Sequence, residues 1–424
     1  MLTAIVGTNW GDEGKGRMVD LLSQEYDMVV RYQGGNNAGH TVINEKGKFV
    51  LNLLPSGILR EEIVNVMGNG MVIDIAHLCG EIGKLADKGM MVRPENLRIS
   101  NCATICMPYH KLLDVLEEDR LGDAKFGSTR RGIAPVYADK YMKKGIRMGD
   151  LLAPDTLRSK VERIVEWKNL TIHKGYENAP VSVDDMMDWL HTYGEILKPF
   201  ICDTSAFLTR AAKEGKKIIF EAQLGALRDI DFGIYPYTSS SSTIAAYAPV
   251  GAGVPGFCLD NVIGVMKAYS SCVGEGPFTC ELCGEQGNEL REAGGEYGAA
   301  TGRPRRVGGF DVPASRYGTA MQGATEIALT KLDVLSHIKE IPVCVAYDVN
   351  GEIIEEFPVG DRLFSAKPVY AYWKGWKCDI SHCRTKEELP QAALAYIRFI
   401  EKAVCCPIKY VSVGAHRDQY IVMF

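Results

Sequence analysis

From residue 2 to residue 413, short β-branched apolar runs alternate with longer stretches whose apolar residues recur three and four positions apart. The runs at 2–6, 63–67, 218–220, 262–266, 327–329, 343–347 and 410–413 read as buried strands. The stretches at 74–88, 108–118, 157–167, 183–197 and 389–404 read as amphipathic helices. Alternation on this scale leaves few architectures open. It predicts an α/β fold built on a large, mostly parallel mixed central sheet with flanking helices, and it puts the chemistry in loops at the carboxyl ends of strands.

The chain has 424 residues, room for two or three ordinary domains. No fixed-period repeat, low-complexity tract or Pro/Gly/Ser-rich linker divides it. Residues 1–424 are therefore expected to form a single large α/β domain, with the mainly helical segment at about 100–215 inserted beside the sheet. Hydrophobic residues make up 46% and charged residues 24%, enough for a substantial core, and the formal charge of -5 gives no basic field to grip a nucleic-acid backbone. The first residues lack the basic start and cleavage site of an export signal. The longest uncharged run, 232–259, is broken by Pro236, Pro249 and Pro255. A cytoplasmic protein without a membrane span is expected. Thirteen scattered cysteines suggest free thiols in a reducing compartment, and Cys280 with Cys283 lies too far along the chain from Cys378, His382 and Cys383 to suggest a zinc site.

The first strand runs into Gly7-Thr8-Asn9-Trp10-Gly11-Asp12-Glu13-Gly14-Lys15-Gly16-Arg17, followed by a helical pattern at Met18, Leu21 and Leu22. Strand, glycine loop, lysine and helix make a P-loop-like nucleotide site: bare backbone N–H groups approach phosphate oxygens, and Lys15 adds charge at the helix amino end. The P-loop pattern would have glycine at Asn9 and serine or threonine at Gly16, so the hydroxyl that usually holds magnesium is missing, with Asp12 in place to substitute. A second loop, Gln33-Gly34-Gly35-Asn36-Asn37-Ala38-Gly39-His40-Thr41, offers His40 as an acid among amides and hydroxyls. Thr330-Lys331-Leu332-Asp333 follows a strand, and a carboxylate there accepts two hydrogen bonds from guanine that adenine does not supply, while the lysine stem covers the ring. A strand-end salt bridge is the plainer alternative. Gly302-Arg303-Pro304-Arg305-Arg306 packs three guanidinium groups close together, suited to carboxylate or phosphate, or to a simple basic turn.

Taken in order, Trp10 to Gly16, Asn37 to Thr41, Arg131-Gly132-Ile133, Gly145-Ile146-Arg147, Thr301 to Arg306, Thr330 to Asp333 and Ser412-Val413-Gly414 resemble the adenylosuccinate synthetase family over nearly the full chain. The resemblance implies a cytoplasmic homodimer using GTP, Mg2+, IMP and L-aspartate, with no nucleic acid or membrane partner. It implies that Asp12 is the general base and His40 the group that steadies the transferring phosphoryl. It carries GTP contacts onto Gly11, Glu13, Gly14, Lys15, Gly16, Arg17, Thr41, Arg305, Lys331, Asp333, Ser412 and Gly414. IMP contacts fall on Asn37, Thr129, Lys143, Gln223, Leu224, Ser239 and Arg303, with Lys143 reaching the partner subunit's site. Aspartate contacts fall on Ala299, Ala300, Thr301, Gly302, Arg303 and Arg305, and the metal ligands on Asp12 and the Gly39 backbone.

Several positions depart from the family pattern. Lys143 and Cys272 stand where arginine is usual, Ser239 where threonine is usual, and Ala299 and Ala300 where threonines are usual. The Glu-Gly-Ala-Gln-Gly run appears as Glu221-Ala222-Gln223-Leu224-Gly225, which moves the glutamine by one place. A divergent ligase acting on another purine nucleotide or amino acid therefore stays open beside the standard reaction. So does a guanine-nucleotide switch, in which Asp12, His40 and the arginine loop would have no role.

Overall fold

The computed structural model describes residues 1–298, 302 and 304–424. Ten strands form the central sheet: β1 (Leu2–Gly7), β2 (Met28–Arg31), β3 (Val64–Met67), β4 (Leu97–Ser100), β5 (Ile201–Cys202), β6 (Ile218–Gly225), β7 (Asn261–Lys267), β8 (Glu326–Thr330), β9 (Ile408–Ser412) and β10 (Tyr420–Val422). Their spatial order is β10-β9-β8-β7-β1-β6-β2-β3-β4-β5, and only β10 pairs antiparallel to its neighbour. The expected mostly parallel sheet with flanking helices is present.

Strand β1 lies between β6 and β7 with every residue buried, because helices cover both faces of the sheet. Met18, Val19, Leu21 and Leu22 of α1 (Lys15–Leu22) pack on one face with Ile5, Val29, Ile219, Ile263 and Val265. Phe220, Val30 and Leu208 pack in a cluster with Ala248 and Ala252. From β1 the chain passes to β2 on one side, while β7 and β8 extend the other, so the carboxyl end of β1 lies at the reversal in strand order where α/β proteins bind ligands.

The helices expected from periodicity appear as Ile75–Ala86, Pro108–Leu121, Pro154–Asn169, Val183–Leu197 and Gln391–Val404. Helices Ile133–Tyr141 and Thr204–Lys213 also lie between 100 and 215. The apolar run at 343–347 is a strand, but it belongs to a separate four-stranded sheet as part of Glu340–Val349, paired with Glu352–Ile354 and Ala366–Lys374. Its burial on one side by Tyr347 and Val349 and its partly exposed positions between them fit a half-covered antiparallel strand. No helix among the described residues is long and apolar enough to cross a membrane.

Candidate active site

The glycine loop leaves β1 and enters α1 through Gly14, whose φ of 101° is the left-handed conformation that glycine adopts without strain. Glu13 turns its side chain back into the loop. Its carboxylate accepts from the backbone N–H of Asn9 at 3.2 Å and Gly11 at 2.8 Å, and from Lys15 Nζ at 2.6 Å. Both Glu13 and Lys15 are buried. The loop thus already converges backbone N–H groups and an ammonium on negative charge, the physical requirement for a phosphate site. Thr330 at the end of β8 donates to Glu13 O at 2.6 Å, which fixes the Lys331–Asp333 turn beside the loop.

Gly16 has a structural reason for lacking a side chain. A Cβ there would lie 2.6 Å from His40 Cβ and 3.0 Å from Ser56 Oγ. The hydroxyl of a standard P-loop has no room because His40 takes that space.

His40 opens the hairpin His40–Asn44 with Gly47–Leu51. Its Nδ1 lies 2.5 Å from Glu221 Oε1 near the middle of β6, and Glu221 also accepts from Ser56 N at 2.8 Å and Ser56 Oγ at 2.6 Å. Burial opposes ionisation of Glu221, but His40, the buried Arg31 guanidinium and Ser56 outweigh it and hold the carboxyl below its ordinary value. Burial dominates at His40 and pushes the imidazole down, against the pull of Glu221. The ionised Glu221 accepts Nδ1–H and fixes the ring, leaving Nε2 for other chemistry.

Asp12, half-buried with φ of 57°, meets Arg305 Nη2 through Oδ2 at 3.1 Å. Arg305 Nη1 donates to Glu296 Oε2 at 2.7 Å. The fully buried Glu296 also receives Lys267 at 2.8 Å, Lys331 at 2.9 Å and the Tyr269 hydroxyl at 2.5 Å. Burial pushes the Lys267 ammonium down to about 8 despite Glu296. Burial likewise disfavours charge on Glu296, but Lys267, Lys331 and Arg305 together hold its carboxyl well below the ordinary range. One buried carboxylate therefore joins Asp12, through Arg305, to Lys331.

Two residues beyond Lys331, Asp333 Oδ1 is buried without a hydrogen-bond partner, and burial pushes this carboxyl up. An unmatched buried acceptor costs about 1–3 kcal/mol unless something donates to it, so the position is built for a donor. Arg17 of α1 donates Nη1 to Ser412 Oγ and Gly414 O, each at 2.5 Å, which brings the end of β9 to the same place. Thr41, half-buried, pairs with Val50 in the hairpin next to His40.

The positions expected to contact the nucleotide monophosphate are more dispersed. Asn37 is half-buried, and its Oδ1 accepts from Gly35 N at 3.3 Å. Gln223 is buried, donating Nε2 to Gly35 O at 3.0 Å while its Oε1 has no partner. Leu224 takes φ of 64°, and a Cβ on Gly11 would sit 3.4 Å from Leu224 Cα. The one-place shift has sent the amide beneath the 33–39 loop and left an apolar residue against the glycine loop. Ser239 donates its backbone N–H to Arg228 O at 2.8 Å. Thr129 and Lys143 are exposed, and among the described residues no hydrogen bond or ion pair ties either to the glycine loop. Gly302 is exposed, with its N–H on Gly298 O at 2.8 Å, while Ala299, Ala300, Thr301 and Arg303 lie outside the described residues.

Sequence reasoning passed over Glu221, Ser56 and Glu296 as functional groups. The available signal for Glu221 was an acidic residue directly after the apolar run 218–220, whereas Glu296, in the glycine-rich stretch 294–298 ahead of the arginine turn, carries no such mark.

Residues 4–421 match the family of adenylosuccinate synthetases. The chain is 47% identical over 418 residues to adenylosuccinate synthetase of Halothermothrix orenii, covering 98% of this chain and 97% of that one. It is 46% identical over 420 residues to the enzyme of that name from Nostoc punctiforme, covering 99% and 94%. The structure of fully ligated adenylosuccinate synthetase from Plasmodium falciparum superposes with a TM-score of 0.93 at 37% identity, covering 100% of this chain and 99% of that one. On sequence and on fold alike, over nearly its whole length, the chain belongs to the adenylosuccinate synthetase family.

Proposed function

We propose that the chain joins L-aspartate to IMP with GTP as phosphoryl donor, giving adenylosuccinate, GDP and phosphate through 6-phosphoryl-IMP. The observation that supports the residue roles is the contact chain Asp12–Arg305–Glu296–Lys331, which runs from the base candidate to within two residues of the buried, unmatched Asp333 acceptor. Asp12 removes the N1 proton of IMP, so that O6 gains the electron density to attack the γ-phosphorus. His40, held through Nδ1 by Glu221, donates from Nε2 to the phosphoryl oxygens in its protonated form. The amine of aspartate then attacks C6 and the O6-borne phosphate departs, the surplus amine proton passing to solvent. Without phosphorylation the leaving group would be hydroxide-like, so the two steps replace one very slow one. The protein's share is alignment and charge stabilisation.

The donor set suits Mg2+. Asp12 and the Gly39 carbonyl are hard oxygen donors of the kind Mg2+ takes. These two groups would hold the ion, which supplies neutralisation of phosphate charge. The exposed Lys143 is free to extend toward a second copy of the chain, and we read the enzyme as a cytoplasmic homodimer. We also read it as one α/β domain carrying the helical 100–215 segment as an insertion.

Phosphate release that needs GTP, IMP and aspartate together, measured in a coupled assay, tests the reaction. Absence of release sinks it, and preference for deoxyinosine, guanosine or deoxyguanosine monophosphate over IMP sinks the assignment of substrate. Guanine reading is tested by Asp333→Asn, which keeps the shape and exchanges an acceptor for a donor. The KM for GTP should rise about tenfold or more. An unchanged KM for GTP places guanine recognition elsewhere.

A further inference from the structure

Arg228 sits in the turn Ala226–Arg228 that follows β6, and the residue is only 8% exposed. Its guanidinium spans two segments. Nη1 donates to Tyr237 O at 2.5 Å and to Glu275 O at 3.4 Å, and Nη2 donates to Val273 O at 2.7 Å and Cys272 Sγ at 2.8 Å. Its Cζ lies 5.7 Å from the centre of the Trp10 ring, inside the glycine loop. The Arg228 carbonyl accepts the N–H of Ser239 at 2.8 Å. Tyr237 in turn meets Phe126 at a ring distance of 6.2 Å, and a Cβ on Gly276 would fall 2.6 Å from Tyr237 Cγ. One buried fork thus fastens the 237–239 strip to the 272–276 strip, under Trp10 and next to the segment that leads to Thr129.

We infer that Arg228 is the positioning residue for the nucleoside-monophosphate side of the site, supplying from the end of β6 the guanidinium that position 272 lacks. The inference rests on the proposed function for the identity of that nucleotide. Cys272 is buried, and its thiol offers only weak bonds, accepting from Arg228 and donating to Val273 O of the same strip at 3.7 Å, so by itself it fastens no second segment. A guanidinium has planar, fixed donors that hold several carbonyls at once, which an ammonium does as a single point. Because Nη2 already touches Cys272 Sγ, an arginine planted at 272 with a shortened residue at 228 would enter the same space. Loss of the fork frees Tyr237 and the 273–275 backbone to drift, and with Tyr237 the strip that leads to Ser239, whose own bond to the Arg228 carbonyl is kept. The nucleotide laid across them would then bind less tightly, whereas none of the hydrogen bonds of the Arg228 guanidinium goes to Lys15, Lys331 or Asp333 on the GTP side.

The test uses calorimetric affinities for IMP and for GTP on the full chain, with KM values from the coupled assay. Arg228→Leu should weaken IMP about tenfold or more and shift GTP by less than about threefold. Arg228→Lys should recover only part of the loss, and Arg228→Leu combined with Cys272→Arg should recover most of it. IMP affinity within about twofold of wild type in folded Arg228→Leu overturns the inference, as does an equal loss for IMP and GTP, the mark of a merely structural role. If Arg228→Leu does not fold, the double variant and Arg228→Lys decide: wild-type IMP affinity with lysine present would overturn the need for a fork. A wild type that binds no IMP overturns the proposed function and this inference together. A wild type that binds IMP while Arg228→Leu is unaffected overturns the inference alone.

Discussion

Asp12→Asn is expected to lower kcat by at least about 100-fold, the usual scale for losing a positioned general base, with KM for GTP and IMP changed far less. Asparagine has nearly the same shape and tolerates the left-handed backbone that Asp12 adopts at φ of 57°, so the loop should keep its form. It cannot take a proton, and its amide meets Arg305 as a neutral group where the carboxylate formed an ion pair at 3.1 Å. Because Asp12 is also a proposed ligand for Mg2+, the rate is to be followed as the metal is raised. Full recovery at high Mg2+ would make it a metal ligand and no base, and near-normal turnover at ordinary Mg2+ would remove it from both roles. Persistent loss at saturating metal supports proton abstraction.

The elements that could be read from the sequence are those whose signal is local. The all-buried run of β1, the glycines and lysine after it, and the periodic helices each announce themselves within a dozen or so residues, and the structure places them as expected. Periodicity also found the strand at 343–347, but not the sheet to which it belongs, because pairing partners are set by contacts distant in sequence. The glycine loop, His40 and the Thr330–Asp333 turn were visible as motifs for the same local reason. Glu221 and Glu296 were not. Each acts by joining residues far away in the chain, His40 and Ser56 in one case and Lys267, Lys331 and Arg305 in the other, and a buried carboxylate looks in sequence like any acidic residue. The glutamine shift at 223 and 224 shows the same limit from the opposite direction. It was visible as a departure, but only the fold shows the amide turned under the 33–39 loop and Leu224 facing the glycine loop.

Glu221→Gln should cost about as much in turnover as Asp12→Asn, although Glu221 touches no substrate in the proposed mechanism. The carboxylate accepts three donors, His40 Nδ1 and both groups of Ser56, and is itself fully buried. A glutamine accepts through one oxygen and offers an NH2 where an acceptor is required, so at least one buried donor goes unmatched at a cost of about 1–3 kcal/mol in stability. The larger effect falls on His40. With Nδ1–H directed at Glu221, only the imidazolium carries a proton on Nε2 for the phosphoryl oxygens, and burial already pushes its pKa below the ordinary value. Glu221 is the opposing pull, both by charge and by hydrogen bond. Removing its charge lowers the His40 pKa further, so at any given pH a smaller fraction of His40 is protonated. Activity that needs imidazolium falls as pH rises through that pKa, and the alkaline limb of kcat against pH must therefore move toward lower pH in Glu221→Gln. A fall of about 100-fold near neutral pH, partly regained in more acidic buffer, is the expected result. Glu221→Asp retains the charge but shortens the reach, and should keep the limb near its wild-type position while losing rate through misalignment. A Glu221→Gln enzyme with wild-type kcat and an unmoved alkaline limb would show that the carboxylate only fills the core, and that His40 owes neither its orientation nor its proton to it.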